Sequence, residues 1–130
     1  MVQIRQYTWA EFDKDIVKLS VLVKEIQFKK IYGNPRGGLP VAVALSHKTG
    51  IPVTTFTYEA EGVLWVDDIV DSGAQLNKAK KLDHAGYCSL LTRKQNQALC
   101  AKVLNSDDWI VFPWENKHKA EEDYRSWLCQ

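Results

Sequence analysis

Val63-Leu64-Trp65-Val66-Asp67-Asp68-Ile69-Val70-Asp71-Ser72-Gly73-Ala74-Gln75 is the stretch whose reading decides the rest of the chain. Four apolar residues run into two adjacent carboxylates, followed by two more apolar residues, a third carboxylate and a small-residue turn. The pattern predicts a buried strand, a loop at its carboxyl end, and a helix whose first turn is Ser72 to Gln75. In an open α/β sheet, ligands sit outside the carboxyl ends of the strands. The free N–H groups and positive dipole end of the next helix attract an anion, typically a phosphate. Small residues let that phosphate approach the backbone closely. Carboxylates beside it repel it unless a cation or hydroxyl groups come between. The stretch therefore requires a ligand that combines phosphate, sugar hydroxyls and a metal such as magnesium. The plainer alternative is a capped helix, with Asp71 or Ser72 as N-cap and Asp67 and Asp68 as solvated loop charges. Three carboxylates in five residues exceed what a cap needs.

Outward from this stretch, composition sets the bounds. A chain of 130 residues suffices for one domain with a real core. Its net charge of +1, with Lys and Arg spread along the sequence, argues against a nucleic-acid partner. No apolar run approaches the roughly 18 residues of a membrane span, and Met1 to Gln6 lack the apolar segment of a leader. The expectation is a soluble, cytoplasmic protein without a membrane partner. Cys88, Cys100 and Cys129 are odd in number and form no Cys-x-x-Cys, so they read as reduced thiols. His47, His84 and His118 lack ligand spacing and read as surface residues.

Upstream, Thr8-Trp9-Ala10-Glu11 is a capping-box pattern, and Phe12, Ile16, Leu19, Val23 and Ile26 recur at helical steps. A helix to about Glu25 should cover one face of the sheet. Lys30 to Gly33 reads as a strand, with Asn34 to Gly38 as its exit loop. There Gly37 and Gly38 permit tight backbone and positive φ, so that several N–H groups could form an anion nest. Arg36 adds a charged fork suited to a diphosphate. A Pro-Gly turn with a solvated Arg is the plainer reading of this loop taken alone. Leu39 to Thr49 predicts a central helix stopped by Gly50, and Val53 to Thr57 a strand.

Downstream, Gln75 to His84 should continue the helix, Gly86 end it, and Tyr87 to Thr92 form a strand with Arg93 and Lys94 at its exit. Gln95 to Ser106 are ambiguous, with Ala101 to Leu104 fitting a short edge strand. Asp107-Asp108-Trp109-Ile110-Val111-Phe112-Pro113-Trp114-Glu115 is dense in aromatics, which suit either core packing or a planar heterocycle. Glu115 to Gln130 read as a terminal helix with Tyr124, Trp127 and Leu128 on its buried side.

Three of these segments carry a resemblance. Val66 to Gln75 is similar to the ribose-phosphate signature of the type I phosphoribosyltransferases. Ile31 to Leu39 resembles their pyrophosphate loop, and Trp109 to Glu115 the purine-binding hood of the xanthine and guanine branch. The matches come in family order over most of the chain. The resemblance implies an α/β fold, a three-layer Rossmann-like open and mainly parallel sheet with a small C-terminal hood. It implies a single domain, 1–130, with a core of about 8–95 and the hood and terminal helix in about 96–130. The activity implied is transfer of the 5-phosphoribosyl group from phosphoribosyl pyrophosphate to a 6-oxopurine, with magnesium, in a homodimer or higher homo-oligomer.

Roles follow from the resemblance residue by residue. Asp67 and Asp68 would hold the ribose hydroxyls and, directly or through water and substrate, the magnesium. Ser72, Gly73, Ala74 and Gln75 would cradle the 5′-phosphate, with Gln75 in place of the usual threonine. Arg36, Gly37 and Gly38 would neutralise the pyrophosphate. Asp71 would hydrogen-bond or accept a proton at the purine ring nitrogen. Lys94, with Arg93 as its neighbouring alternative, would hold the exocyclic oxygen, and Trp109 and Ile110 would contact the ring, Ile110 partly through its backbone. A solvated Arg-Lys pair is the plainer reading at that strand end.

One departure stands out. In the resembling enzymes a long flexible hairpin follows the Val53 strand and closes over the diphosphate, whereas here only Tyr58 to Gly62 precede the acidic strand. If both flanking strands run the same way, those residues span at most about 17 Å, and nothing is left to overhang the site. A non-catalytic or weakly catalytic binder of phosphoribosyl pyrophosphate or a nucleotide is the competing expectation.

Overall fold

The computed structural model describes residues 3–55, 61–82, 84–93 and 98–129. Helix α1 spans Trp9–Glu25 behind the predicted capping box: Thr8 Oγ accepts from the Glu11 amide at 3.1 Å, and the Glu11 carboxylate reaches back to the Thr8 amide. Strand β2 is Lys30–Gly33, and helix α2 is Gly38–Thr49, ended by Gly50 in the left-handed region at φ 79°. Strand β3 is Val53–Thr54 and β4 is Val63–Val70. Helix α3 (Ala74–Lys80), β5 (Gly86–Thr92) and β6 (Leu99–Val103) complete the main layer order.

These strands form one five-stranded sheet in the order β3-β2-β4-β5-β6, every pairing parallel. The acidic strand β4 is therefore central, as its continuous apolar run requires of a strand covered on both faces. On one face Phe12, Ile16, Leu19 and Val23 of α1 and Val41, Ala42 and Leu45 of α2 pack on Ile31, Leu64, Val66 and Leu90. On the other, Leu76 and Ala79 of α3 cover Trp65 and Val70. Each fully buried Val, Leu, Ile or Phe side chain among these contributes about 1.5–3 kcal/mol. The expected three-layer open parallel sheet is present.

A second, two-stranded parallel sheet joins β1 (Ile4–Gln6), unforeseen in the sequence, to β7 (Trp109–Val111). Helix α4 (Lys117–Leu128) follows, capped by Asn116 Oδ1 on the Lys119 amide at 2.9 Å. Tyr7, just past β1, donates its hydroxyl to the buried Asp15, and Lys102 lies 3.4 Å from both Asp15 and Glu11. Desolvation, then the Asp15 hydrogen bond, pushes the Tyr7 phenol well above its usual range. The network ties this small sheet to α1 and β6.

Several expectations need correction. The acidic pair lies within β4 and not in a loop beyond it, because parallel bonds to β5 continue through Asp67, Ile69 and Val70. Helix α3 begins at Ala74 and stops at Lys80, well short of His84, and Gly86 opens β5. His84 is buried, its Nδ1 3.2 Å from the Ala79 carbonyl and its ring packed between Tyr32 and Tyr87. Within α4 only Ala120 is buried, and Trp127 and Leu128 stay 43% and 54% exposed, because no layer lies beyond them.

β3 and β4 do run the same way, but β3 ends early, so positions 55–62 connect them. The return covers two strand spacings and two residues of register, ~12 Å, against a reach of at most ~28 Å. The distance between the flanking strand ends is thus shorter than the reach of the intervening chain, which is by its length far too short for a long hairpin. Positions 56–60 lie outside the described residues. Among the described residues no helix is long and apolar enough to cross a membrane.

Candidate active site

Alternation along β4 splits the acidic pair. Asp67 faces the α3 side, where a cavity of about 230 Å³ is lined by Trp65, Asp67, Asp71, Ser72, Gly73, Ala74 and Gln75 among others. Asp68 faces the opposite side, a cleft of about 650 Å³ shared with Arg36, Gly37, Glu115, Asn116 and Lys119. Asp67 Oδ2 accepts from Asn34 Nδ2 at 3.1 Å, and its Oδ1 from the Asp68 amide at 2.9 Å. Asp68 Oδ1 accepts from the Ile69 amide at 2.8 Å. No Lys or Arg pairs with either carboxylate among the described residues.

Burial raises the pKa of both groups. For Asp68, desolvation and then the neighbouring Asp67 charge push the carboxyl up to about 8, with Glu115 adding to the rise. For Asp67, desolvation outweighs the hydrogen bonds from Asp68 and Asn34 that oppose it. This is an acidic pair without its counter-charge. Such a donor set fits magnesium, which takes one or two protein carboxylates and completes its shell with water and substrate oxygens. Among the described residues no three His, Cys, Asp or Glu converge, so the remaining ligands would have to come from outside the protein.

Both loops are built by close approach. Asn34 donates its amide to the Val66 carbonyl at 2.7 Å, fastening the β2 exit loop to β4. A Cβ on Gly37 would lie 2.0 Å from Asp68 Oδ2, and one on Gly38 2.3 Å from the Val66 carbonyl oxygen. Gly37 has φ −61°, so contact and not positive φ requires glycine there. The Pro35–Arg36 peptide is cis. The Gly38 amide is engaged by the Asn34 carbonyl at 2.8 Å, which removes one donor from the expected nest. After β4, Gly73 does take positive φ, 88°, to turn the chain into α3. Ser72 Oγ accepts from the Ala74 amide at 3.3 Å, while the Ser72 and Gly73 amides donate to no acceptor among the described residues.

Asp71 sits where two cavities meet. It lines the turn cavity and also one of about 250 Å³ bounded by Arg93, Asp107, Trp109 and Trp127. Arg93 Nε pairs with Asp71 Oδ1 at 2.8 Å. The same guanidinium donates to the Ser106 carbonyl at 2.8 Å and the Asp108 carbonyl at 2.6 Å. Trp109 packs on Tyr124 and Trp127 at centroid distances of 5.8 and 5.7 Å.

The aromatic-rich hood segment thus divides its work. Phe112 and Trp114 stack at 4.9 Å and pack against α1, and the Ile110 side chain joins the same core. Trp109 alone of the segment's tryptophans faces the 250 Å³ cavity. Lys94 lies outside the described residues. The structure brings together Asp67, Asp71, Ser72, Gly73, Ala74 and Gln75 in one cavity, Arg36, Gly37 and Asp68 in a second, and Asp71 with Trp109 in a third. Gly38 sits beneath the second, against Val66. Sequence reading missed Asn34, Asp107 and Trp127. Asn34 stood in the quoted exit loop and Asp107 in the quoted hood, but nothing in one dimension pairs them with Asp67 or Asp71.

No protein-family model matches the sequence. Solved structures do. A purine phosphoribosyltransferase from Pyrococcus horikoshii superposes with a TM-score of 0.68 at 27% identity, covering 89% of this chain and 95% of that one. The xanthine-guanine-hypoxanthine phosphoribosyltransferase of Helicobacter pylori gives 0.68 at 22% identity, with 93% and 99% covered. A hypothetical protein from Neisseria gonorrhoeae, crystallised with bound ppGpp, gives 0.71 at 16% identity, with 100% and 99% covered. The last two, below a quarter identical, speak for the fold. Together these likenesses show that the chain has the fold of the type I phosphoribosyltransferases, and the neighbour above a quarter identical is a purine enzyme of that fold.

Proposed function

We propose that this chain transfers the 5-phosphoribosyl group of phosphoribosyl pyrophosphate to a 6-oxopurine, giving a nucleoside monophosphate and pyrophosphate. The observation that carries the reading is the position of Asp71, on the wall between the small-residue turn and the tryptophan-lined cavity. A sugar phosphate in the first and a planar base in the second would meet beside its carboxylate. Ser72, Gly73, Ala74 and Gln75 bind the 5′-phosphate through turn amides, and Asp67 accepts from the ribose hydroxyls. Arg36 and Gly37, with Asp68 across the same cleft, receive the pyrophosphate end. Trp109 supplies a face for the ring. Asp71, held by Arg93, accepts a proton or hydrogen bond at the ring nitrogen.

Magnesium would be held by Asp67 or Asp68, directly or through water and substrate, and would supply neutralisation of the diphosphate charge. The transition state places positive charge on the sugar and negative charge on the leaving group, so fixed charges and orientation do most of the work.

A second reading, a nucleotide-binding regulator with little turnover, is favoured by the short β3–β4 connection and by the fold it shares with the ppGpp-bound protein. A base panel separates the two. Protein, magnesium and phosphoribosyl pyrophosphate are mixed with guanine, hypoxanthine, xanthine, adenine or uracil, and pyrophosphate release is followed. Release with an oxopurine establishes the transferase. Absence of release with every base, with saturable nucleotide binding, establishes the regulator.

A further inference from the structure

Among the described residues five side chains bound the 250 Å³ cavity, and the charges of those five do not balance. Asp71 and Arg93 neutralise one another at 2.8 Å. Asp107, exposed at the mouth, forms no ion pair and accepts no hydrogen bond among the described residues. It is nonetheless firmly placed. Arg93 Nη1 holds the Ser106 carbonyl and Nη2 the Asp108 carbonyl, the residues on either side of it. One guanidinium therefore fixes Asp71 on one wall and the backbone that carries Asp107 on another. Stacking on the rings of Trp109 and Trp127 would bind any planar base with little regard to its substituents. Discrimination must come from the polar groups at the ring's edge.

We propose that Asp107 is a specificity-determining residue of this cavity, selecting a neutral oxopurine that carries an amino donor, of the guanine kind. It repels an oxopurine that ionises near neutral pH, of the xanthine kind. The proposal rests on the reading of the cavity as the base site. Ring N–H and exocyclic amino groups give a carboxylate charge-assisted hydrogen bonds, while an anionic ring placed beside an unpaired carboxylate suffers like-charge repulsion. Hypoxanthine, neutral and without the amino group, falls between.

The test compares wild type and Asp107→Asn with guanine, hypoxanthine and xanthine at pH 8. Wild type should favour guanine over xanthine in kcat/KM, and Asp107→Asn should shrink that ratio by about tenfold or more, the scale of one charge-assisted bond. The circular dichroism spectrum and thermal midpoint serve as the folding control and should match wild type, and the hypoxanthine value should fall by less than the guanine value. An unchanged guanine-to-xanthine ratio in an active variant overturns the role of Asp107 and leaves the transferase reading intact. If no base turns over, guanosine and xanthosine monophosphates are titrated against tryptophan fluorescence. A guanosine preference that Asp107→Asn abolishes upholds the proposal while removing the transferase reading. Equal binding of both nucleotides, or of neither, overturns it.

Discussion

Two pairs of carboxylates occupy this molecule, and they live under opposite conditions. Asp67 and Asp68 sit on the central strand, desolvated, adjacent in sequence and without a cationic partner among the described residues, and both have raised pKa values. Asp71 and Asp107 sit on turns at the rim, open to water, where Asp71 has Arg93 as counter-charge. Burial makes an acid costly unless something arrives to share its charge. On the proposed reading the strand pair waits for a cation and hydroxyl groups, while the rim pair, with Arg93 beside Asp71, faces the base.

The sharpest way to break this contrast is Asp71→Asn. It keeps the shape of the rim and removes its charge, so turnover with the preferred base should fall by about 100- to 1,000-fold. Nucleotide affinity measured by calorimetry should stay within about threefold. Unchanged turnover would remove Asp71 from the chemistry.

Next in size is the packing beneath the strand pair. Gly38→Ala drives a Cβ to 2.3 Å from the Val66 carbonyl, which is backbone of β4 and cannot yield, and should cost about 2–3 kcal/mol in urea unfolding. Gly37→Ala meets only the Asp68 carboxylate, a side chain that can turn away, and should cost less. Equal losses would mean that β4 is not the rigid support inferred here.

The strand pair also predicts a pH signature. With its folded-state pKa near 8 against an unfolded value of about 4, Asp68 holds an extra proton in the folded protein between those values. Stability in magnesium-free buffer should therefore fall as pH rises from about 4 to about 8. Asp68→Asn, which can still accept from the Ile69 amide, should flatten that slope and melt higher than wild type at pH 8. A slope that persists in the variant would place the buried charge elsewhere. The smallest effect belongs to Arg93→Gln, which frees Asp71 and the Ser106 and Asp108 carbonyls. It should lower turnover by about tenfold, with a smaller change in nucleotide affinity. A loss as deep as that of Asp71→Asn would make Arg93 more than a support.

Much of this was legible in one dimension. The apolar run of β4 announced a central strand, Thr8 and Glu11 a helix start, and Gly50 a helix stop, because each depends on residues a few positions apart. The boundaries of α3 were misread because His84, Tyr32 and Tyr87 form a buried aromatic contact from separate elements, and that contact, not helical pattern, holds His84 inside. Likewise Tyr124 and Trp127 have helical spacing for a buried stripe, yet they pack on Trp109 at an open edge.

The order of carboxylates and small residues along and after β4 by itself led to the proposal of a phosphate, hydroxyls and a cation at that strand end, since charge and backbone freedom are properties of the residues. Only the tertiary structure decided how the charges are shared out. The pleat of β4 sends Asp67 and Asp68 to opposite faces, and the parallel alignment of β4 and β5 delivers Arg93 to Asp71. Partnership between distant residues depends on register, and register is set by the packing of the whole sheet.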